Sequence, residues 1–204
     1  MKIIAADIAK YFNERKIFGD INFTLNSGRS LAITGPNGSG KTTLIKIISG
    51  LMRPTFGSVT FYSGEHEIKR EHRYQYLSLV SPYLELYEEL SALENLHFLI
   101  RLRDIEDGEQ KAEALLNRVN LYGRENDAVK TYSSGMRQRL KYVFALLSNP
   151  EILLLDEPTS NLDVDGIDIV YEIIQEQKEK NIVIIATNDR NDLKYGDQLI
   201  EISD

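Results

Sequence analysis

No cysteine occurs among the 204 residues, which excludes disulfides, thiolate metal sites and a cysteine nucleophile and suits a reducing cytosol. A basic excess is missing too. The 24 Lys and Arg against 31 Asp and Glu leave a net charge of −7 and a pI near 5.1, so a general nucleic-acid binder is not expected. No apolar run approaches the roughly 20 residues that span a bilayer, and the opening MKIIAADIAKYF lacks the apolar core of a signal peptide. If the protein works at a membrane, another chain must cross it. Internal repeats and low-complexity linkers are absent as well. What remains is an ordinary globular composition, 42% hydrophobic and 27% charged, in a chain long enough for a sizeable core.

The most informative stretch covers residues 31–43, LAITGPNGSGKTT. Leu31, Ala32 and Ile33 read as a short buried strand, and Leu44, Ile47, Ile48 and Leu51 as the apolar face of a helix starting near Lys41. Between them, Gly35, Pro36, Asn37, Gly38, Ser39, Gly40, Lys41 and Thr42 match the phosphate-loop pattern of two glycines five apart followed by Lys and Thr. Gly38 and Gly40 let the backbone approach a ligand closely, so that successive N–H groups point at phosphate oxygens. The helix N-terminus adds partial positive charge. Lys41 would reach the β- and γ-phosphates, Thr42 would hold magnesium, and Thr43 would bond the α-phosphate. Nucleoside triphosphate binding follows.

A second apolar run, Ile152, Leu153, Leu154 and Leu155, reads as a parallel strand buried on both faces and ends in Asp156 and Glu157. Two acids are costly to bury, so they are expected at the C-terminal edge of the sheet, where ligands of open α/β sheets bind. There Asp156 would hold magnesium, directly or through water, and Glu157 would orient or deprotonate an attacking water. Upstream, Ser133, Ser134 and Gly135 open a helix whose Met136, Leu140, Val143, Phe144 and Leu147 share a face. Alone that turn would mean only a cap.

Elsewhere, strands are expected over residues 2–9, 21–25, 59–62, 76–80, 182–186 and 198–202. Tyr11 and Phe12, in the polar segment after the first strand, would either stack on an adenine ring or pack in the core. Residues 65–74 read as a charged exposed loop or short helix, with His66 and His72 as solvated surface histidines rather than metal ligands. Ser91 and Glu94 form a capping box for a helix carrying Leu93, Leu96, His97 and Ile100, with His97 packed against that apolar face. Further helices are expected at 109–119 and around Ile167, Val170, Tyr171 and Ile174. The expected fold is α/β: a P-loop NTPase with a mainly parallel sheet flanked by helices, an N-terminal antiparallel β part, and a helical subdomain at about 83–149 inserted in one domain of residues 1–204.

In their order along the chain these motifs resemble the nucleotide-binding subunit of ATP-binding cassette (ABC) transporters. GPNGSGKTT resembles the Walker A loop, YSSGMRQRL (residues 132–140) the signature motif, and ILLLDEPTSNLD (residues 152–163) Walker B followed by the D-loop. The resemblance implies ATP and Mg2+ as ligands, a second nucleotide-binding domain as partner (another copy or a paralogue), and a membrane-spanning permease subunit. It implies a cytoplasmic protein held at the inner face of the cell membrane by that permease. Ser133, Ser134 and Gly135 would touch the γ-phosphate held by the partner, and Phe12, with Tyr11 second, would stack on adenine. Two positions depart from the family pattern. Ser81 or Pro82 stands where a glutamine is usual, and Asn188 where a switch histidine is usual. Asparagine can bond a γ-phosphate but carries no proton, so the expectation is slow but real ATP hydrolysis by Glu157, Lys41 and Asn188. Tyr132 and Met136 also replace the usual first and last signature residues. A soluble ATPase that remodels a macromolecular complex, or an ATP sensor with little turnover, are the alternative readings.

Overall fold

The computed structural model describes residues 1–203. They fall into two compact units. One comprises residues 1–79, 150–158 and those from 174 onward, and the other residues 80–149 and 159–173.

The strands are β1 (Lys2–Phe12), β2 (Arg15–Asn26), β3 (Arg29–Thr34), β4 (Phe56–Ser63), β5 (His66–Ile68), β6 (Leu77–Val80), β7 (Ile152–Asp156), β8 (Ile182–Ala186) and β9 (Gln198–Glu201). They form two sheets, an antiparallel one ordered β2-β1-β4-β5 and a second ordered β6-β7-β8-β3-β9 in which β7, β8, β3 and β9 run parallel. Every residue of β7 and β8 is buried, as continuous apolar runs in interior parallel strands must be. β2 alternates instead, with Ile21, Phe23 and Leu25 buried on one face. Helix α1 (Lys41–Ile48) follows β3 and buries Leu44, Ile45, Ile47 and Ile48 in the apolar core shared by both sheets. The α/β fold with its N-terminal antiparallel part is therefore the one expected.

β1 is longer than its hydrophobic pattern indicates, so Tyr11 and Phe12 are strand residues rather than part of a polar connector. Asp7 lies at φ 50°, and the pairing with β2 shifts register between Ala5 and Ile8. Such a bulge throws the alternation out of phase. Pairing then resumes to Tyr11 opposite Lys16 and Phe12 opposite Arg15. Residues 65–74 are mostly exposed and take the short-helix form in part. They hold β5 and a 3-10 turn over Arg70–Gln75, and Arg73 is buried with its guanidinium 4.6 Å from the Phe61 ring centre while it donates to the Val59 carbonyl. His66 and His72 are exposed.

In the second unit lie α2 (Ala92–Arg103), α3 (Gly108–Arg118) and α4 (Ser134–Leu147). The Ser91/Glu94 capping box is present at the start of α2. His97, expected to be packed, has 41% of its side chain exposed and faces Glu109 of α3 at 3.8 Å. The buried polar residue of α2 is Asn95, which exchanges hydrogen bonds with the Tyr87 backbone and donates to the Ser91 carbonyl. α4 buries more than one stripe, including Gln138 and Tyr142. Helices α5 (Val164–Lys180) and α6 (Arg190–Leu193) complete the chain.

The start of β3, which leads into the phosphate loop, is tied to the start of β9. Ser30 donates its N–H to the Asp197 carboxylate at 3.0 Å and its hydroxyl to the Tyr195 carbonyl at 2.6 Å, the same carboxylate oxygen lies 3.1 Å from that hydroxyl, Asp197 N–H returns a bond to the hydroxyl, and Lys178 stands 2.7 Å from the other carboxylate oxygen. Burial alone would raise the Asp197 pKa, but the hydrogen bonds from Lys178 and Ser30 outweigh it and hold the carboxyl below its usual range. Asp197→Ala is expected to lower stability by about 1 kcal/mol, the value of a solvent-screened, hydrogen-bonded pair. Because the folded-state pKa is depressed, this stabilisation is present at neutral pH and lost as pH falls through the folded value. Urea unfolding of the two proteins should thus differ at pH 7 and converge once the pH has fallen below the usual aspartate range.

Candidate functional site

The loop between β3 and α1 needs glycine at three places, the first being Gly35 at φ 148°, where a Cβ would collide with the Ile202 carbonyl oxygen. Gly38 lies at φ 84° with open space around its missing Cβ, and Gly40 at φ 109°, where a Cβ would stand 2.6 Å from Ile17 and 2.9 Å from Phe18. Gly40 is the N-cap of α1. The amides of Lys41 and Thr42 thus begin a helix whose positive end faces the loop. Ser39 is buried within the loop with no hydrogen-bond partner for its hydroxyl. A buried hydroxyl without a partner inside a glycine-rich cradle fits a phosphate oxygen that would satisfy it. Lys41, also buried, donates to the carbonyls of Gly35 at 2.8 Å and Pro36 at 3.3 Å, curling over the space a phosphate would enter.

Thr42 stands one residue into α1, and its hydroxyl donates to the Asp156 carboxylate at 2.9 and 3.2 Å. β8 separates β3 from β7 in the sheet, so the pair closes across a neighbouring strand. Asp156 ends β7 at the C-terminal edge of the sheet, the place expected of it, but is buried there at 1% exposure. The charge is tolerated because a hydrogen-bond donor meets it. A hydroxyl and a carboxylate oxygen side by side are the hard oxygen donors magnesium prefers, so Thr42 and Asp156 fit that ion.

Glu157, the next residue, lies at φ 50°. That turn carries its carboxylate away from the strand, 3.9 Å from the Lys41 ammonium and 36% exposed. Its N–H is held by the Ala186 carbonyl at the end of β8. Burial raises its pKa. Lys41 opposes the rise, the charges of Asp156 and Asp192 add to it, and the Asn188 N–H lowers it again. A carboxyl so placed is a stronger base than a solvated one.

Asn188 follows β8 and its side-chain amide donates to the Asn37 side chain at 2.6 Å, which joins the expected switch position to the phosphate loop. Thr187, which the sequence reading missed, is fully buried between Asn188 and β8. Its hydroxyl donates to Asp192 at 2.8 Å and lies 3.5 Å from Glu157. A threonine directly after an apolar strand, with an acid five residues on, was the available signal.

At the base side, Tyr11 is held edge-on by Phe56, with ring centres 6.0 Å apart, and its N–H donates to Thr55. Phe12 is 46% exposed, and the Lys10 ammonium lies 5.0 Å from its ring centre. Nearby, a cleft of about 460 Å³ is lined by Arg15, Lys16, Ile17, Phe18 and Glu201.

In the second unit, Ser133 caps α4 by accepting the Met136 N–H, and Ser134 and Gly135 form its first turn. The Tyr132 ring is buried beneath, its hydroxyl donating to the Arg124 carbonyl. Ser81 is buried too, its hydroxyl accepting the Tyr83 N–H, while Lys141 donates to the carbonyls of Ser81 and Pro82. Burial, and then Arg137, push the Lys141 pKa down.

The ABC transporter family model matches residues 18–160. Over 88% of its length the chain is 37% identical to an uncharacterized ABC transporter ATP-binding protein, YdbJ of Bacillus subtilis, and spans 58% of that relative. It is 35% identical, over 91% of its length and 86% of the relative's, to the lipoprotein-releasing system ATP-binding protein LolD of Hydrogenovibrio crunogenus. Among solved structures, a dimeric bacterial ABC transporter cassette superposes with a TM-score of 0.82 at 26% identity, covering 98% of this chain and 94% of that one.

The Thr42–Asp156 pair predicts how nucleotide binding responds to magnesium. Asp156→Asn should bind a fluorescent ATP analogue in EDTA within about threefold of the unsubstituted protein, yet lose most of the gain in affinity that magnesium brings. Fluorescence titrations with and without the ion measure both quantities.

Proposed function

Because the chain belongs to the ABC transporter family of ATP-binding proteins, we propose that it is the ATP-hydrolysing subunit of a membrane transporter. The observation that carries this reading is the convergence of Lys41 and Thr42 from the phosphate loop on Asp156 and Glu157 from the end of β7. Glycine-rich loops occur in many proteins. One whose Thr is already paired to a strand-end Asp, with a basic carboxylate beside the Lys, has the parts of ATP hydrolysis.

In the proposed site, the backbone of Gly35, Pro36, Asn37, Gly38, Ser39 and Gly40 cradles the phosphates. Lys41 swings from its carbonyl partners to the β- and γ-phosphates, and Thr43 bonds the α-phosphate. Thr42 and Asp156 hold magnesium, which when bound neutralises phosphate charge. Phe12 stacks on adenine, its ring being more open than that of Tyr11. Glu157 takes the proton of the attacking water. Asn188 donates to the γ-phosphate, with Asn37 fixing its amide.

We read residues 1–204 as one cassette with a helical subdomain at about 83–149. Two cassettes, either two copies or this chain with a paralogue, would close on ATP with Ser133, Ser134 and Gly135 of each against the nucleotide of the other. Opening after hydrolysis would move a membrane-spanning permease. No helix among the described residues is long and apolar enough to cross a membrane, so the permease supplies the spans, and the cassette works from the cytoplasmic side. The dimeric form of a similar cassette supports the pairing.

Hydrolysis should be slow. Neither Ser81 nor Pro82 offers an amide in place of glutamine, and Asn188 carries no proton. Each missing contact is expected to cost about 1–3 kcal/mol at the transition state. A phosphate-release assay tests both halves of the reading. Glu157→Gln should fall to background while Asn188→His rises several-fold. Equal background rates in all three proteins would favour an ATP sensor, and a lower rate for Asn188→His would mean that the asparagine is an adapted part of the site. Affinity purification from detergent-solubilised membranes should recover a multi-span protein. Recovery of soluble partners alone would favour a remodelling ATPase.

A further inference from the structure

The buried carboxylate of Asp192 has so far entered only as a charge near Glu157 and as the acceptor of the Thr187 proton. It is 1% exposed on the short helix α6, and burying an acid is expensive unless something meets it. The Thr187 hydroxyl does so, donating at 2.8 Å. Thr187 in turn is held on every side. Its N–H donates to the Ile33 carbonyl at the end of β3, and its hydroxyl oxygen accepts the Asp189 N–H at 3.0 Å. Asp189 caps α6 by accepting the Asn191 N–H, which brings Asp192 back to Thr187.

A hydroxyl has one proton. Two carboxylates surround this one, Asp192 at 2.8 Å and Glu157 at 3.5 Å. The shorter contact takes the proton. With that proton committed to Asp192, the Thr187 oxygen presents a lone pair, not a donor, to Glu157. The hydroxyl therefore packs against the Glu157 carboxylate without binding it strongly, and the Asn188 N–H and Lys41 remain as its partners.

We propose that Asp192, acting through Thr187, is a positioning residue for Glu157: it commits the Thr187 hydroxyl away from that carboxylate, so that Glu157 stays free to face the attacking water. The inference rests on the reading of Glu157 as the base. Without Asp192 the hydroxyl turns to Glu157 and ties it back toward β8. Thr187→Val removes the hydroxyl at nearly unchanged shape, so that nothing ties Glu157 back, with or without Asp192. Neither residue touches nucleotide, so loss of Asp192 acts on turnover and not on binding.

The test measures kcat for ATP hydrolysis alongside the Kd of a fluorescent ATP analogue. Asp192→Leu should lower kcat about tenfold with Kd changed less than about twofold, Thr187→Val alone should stay within about twofold in both, and adding Thr187→Val to Asp192→Leu should restore most of the lost rate. Asp192→Asn, which keeps an acceptor for the Thr187 proton, should retain most of the rate. Unchanged kcat in Asp192→Leu, loss of kcat matched by loss of affinity, or a double variant as slow as Asp192→Leu would overturn the proposal. If Asp192→Leu does not fold, Asp192→Ala and its double variant with Thr187→Val decide the matter. Glu157→Gln distinguishes the positioning role from the base assignment. If it is inactive while Asp192→Leu is normal, only the positioning role fails, and if it hydrolyses ATP normally the base assignment fails with it.

Discussion

The site is organised around a carboxylate that the sheet cannot hide without help. Asp156 ends a strand in which all residues are buried, and at 1% exposure it is no less enclosed than they are. An unpartnered charge there would cost several kcal/mol. The Thr42 hydroxyl offsets that cost, and to reach Asp156 the first turn of α1 must sit over the C-terminal edge of β8. That one contact sets where the phosphate loop lies relative to the strand ends. Lys41 and Glu157, the neighbours of the pair along the chain, are brought within 3.9 Å as a result.

Three acids then share this end of the sheet. Asp156 serves Thr42, Glu157 faces Lys41, and Asp192 lies behind Thr187. Each has a distinct hydrogen-bond partner, which is how three carboxyl groups coexist in a small volume. At Glu157 it is chiefly burial that raises the pKa, and the charges of Asp156 and Asp192 add to it against the pull of Lys41 and the Asn188 N–H. Stability at Asp156 and Asp192 is thereby linked to basicity at Glu157. Further back, Ser30 and Asp197 anchor the start of β3, so that the loop it feeds leaves from a fixed point.

Much of this was legible in the residues. The continuous apolar runs of β7 and β8 identify interior parallel strands, because only burial on both faces permits them. The glycine spacing before Lys41 identifies a phosphate cradle, because few other backbones can present so many N–H groups together. The Ser91/Glu94 cap was legible as well, since its hydrogen bonds are local. β1 was legible only in part. Its bulge at Asp7 breaks the period of two, and the pairing that restores the strand comes from Arg15 and Lys16 across a turn.

By itself, then, the sequence determined the elements, the order of motifs and the chemistry each could supply, because those depend on neighbours three or four residues away. Only the tertiary structure decided which groups meet. That Thr42 pairs with Asp156 over 114 positions, and Asn188 with Asn37 over 151, depends on the strand order of the sheet, which no local pattern encodes. The burial of Asp192, the exposure of His97 and the lone-pair face of Thr187 belong to the same class. Each follows from where a side chain's polar partners lie in space, and a burial cost or a shared proton is settled only when those partners are assembled.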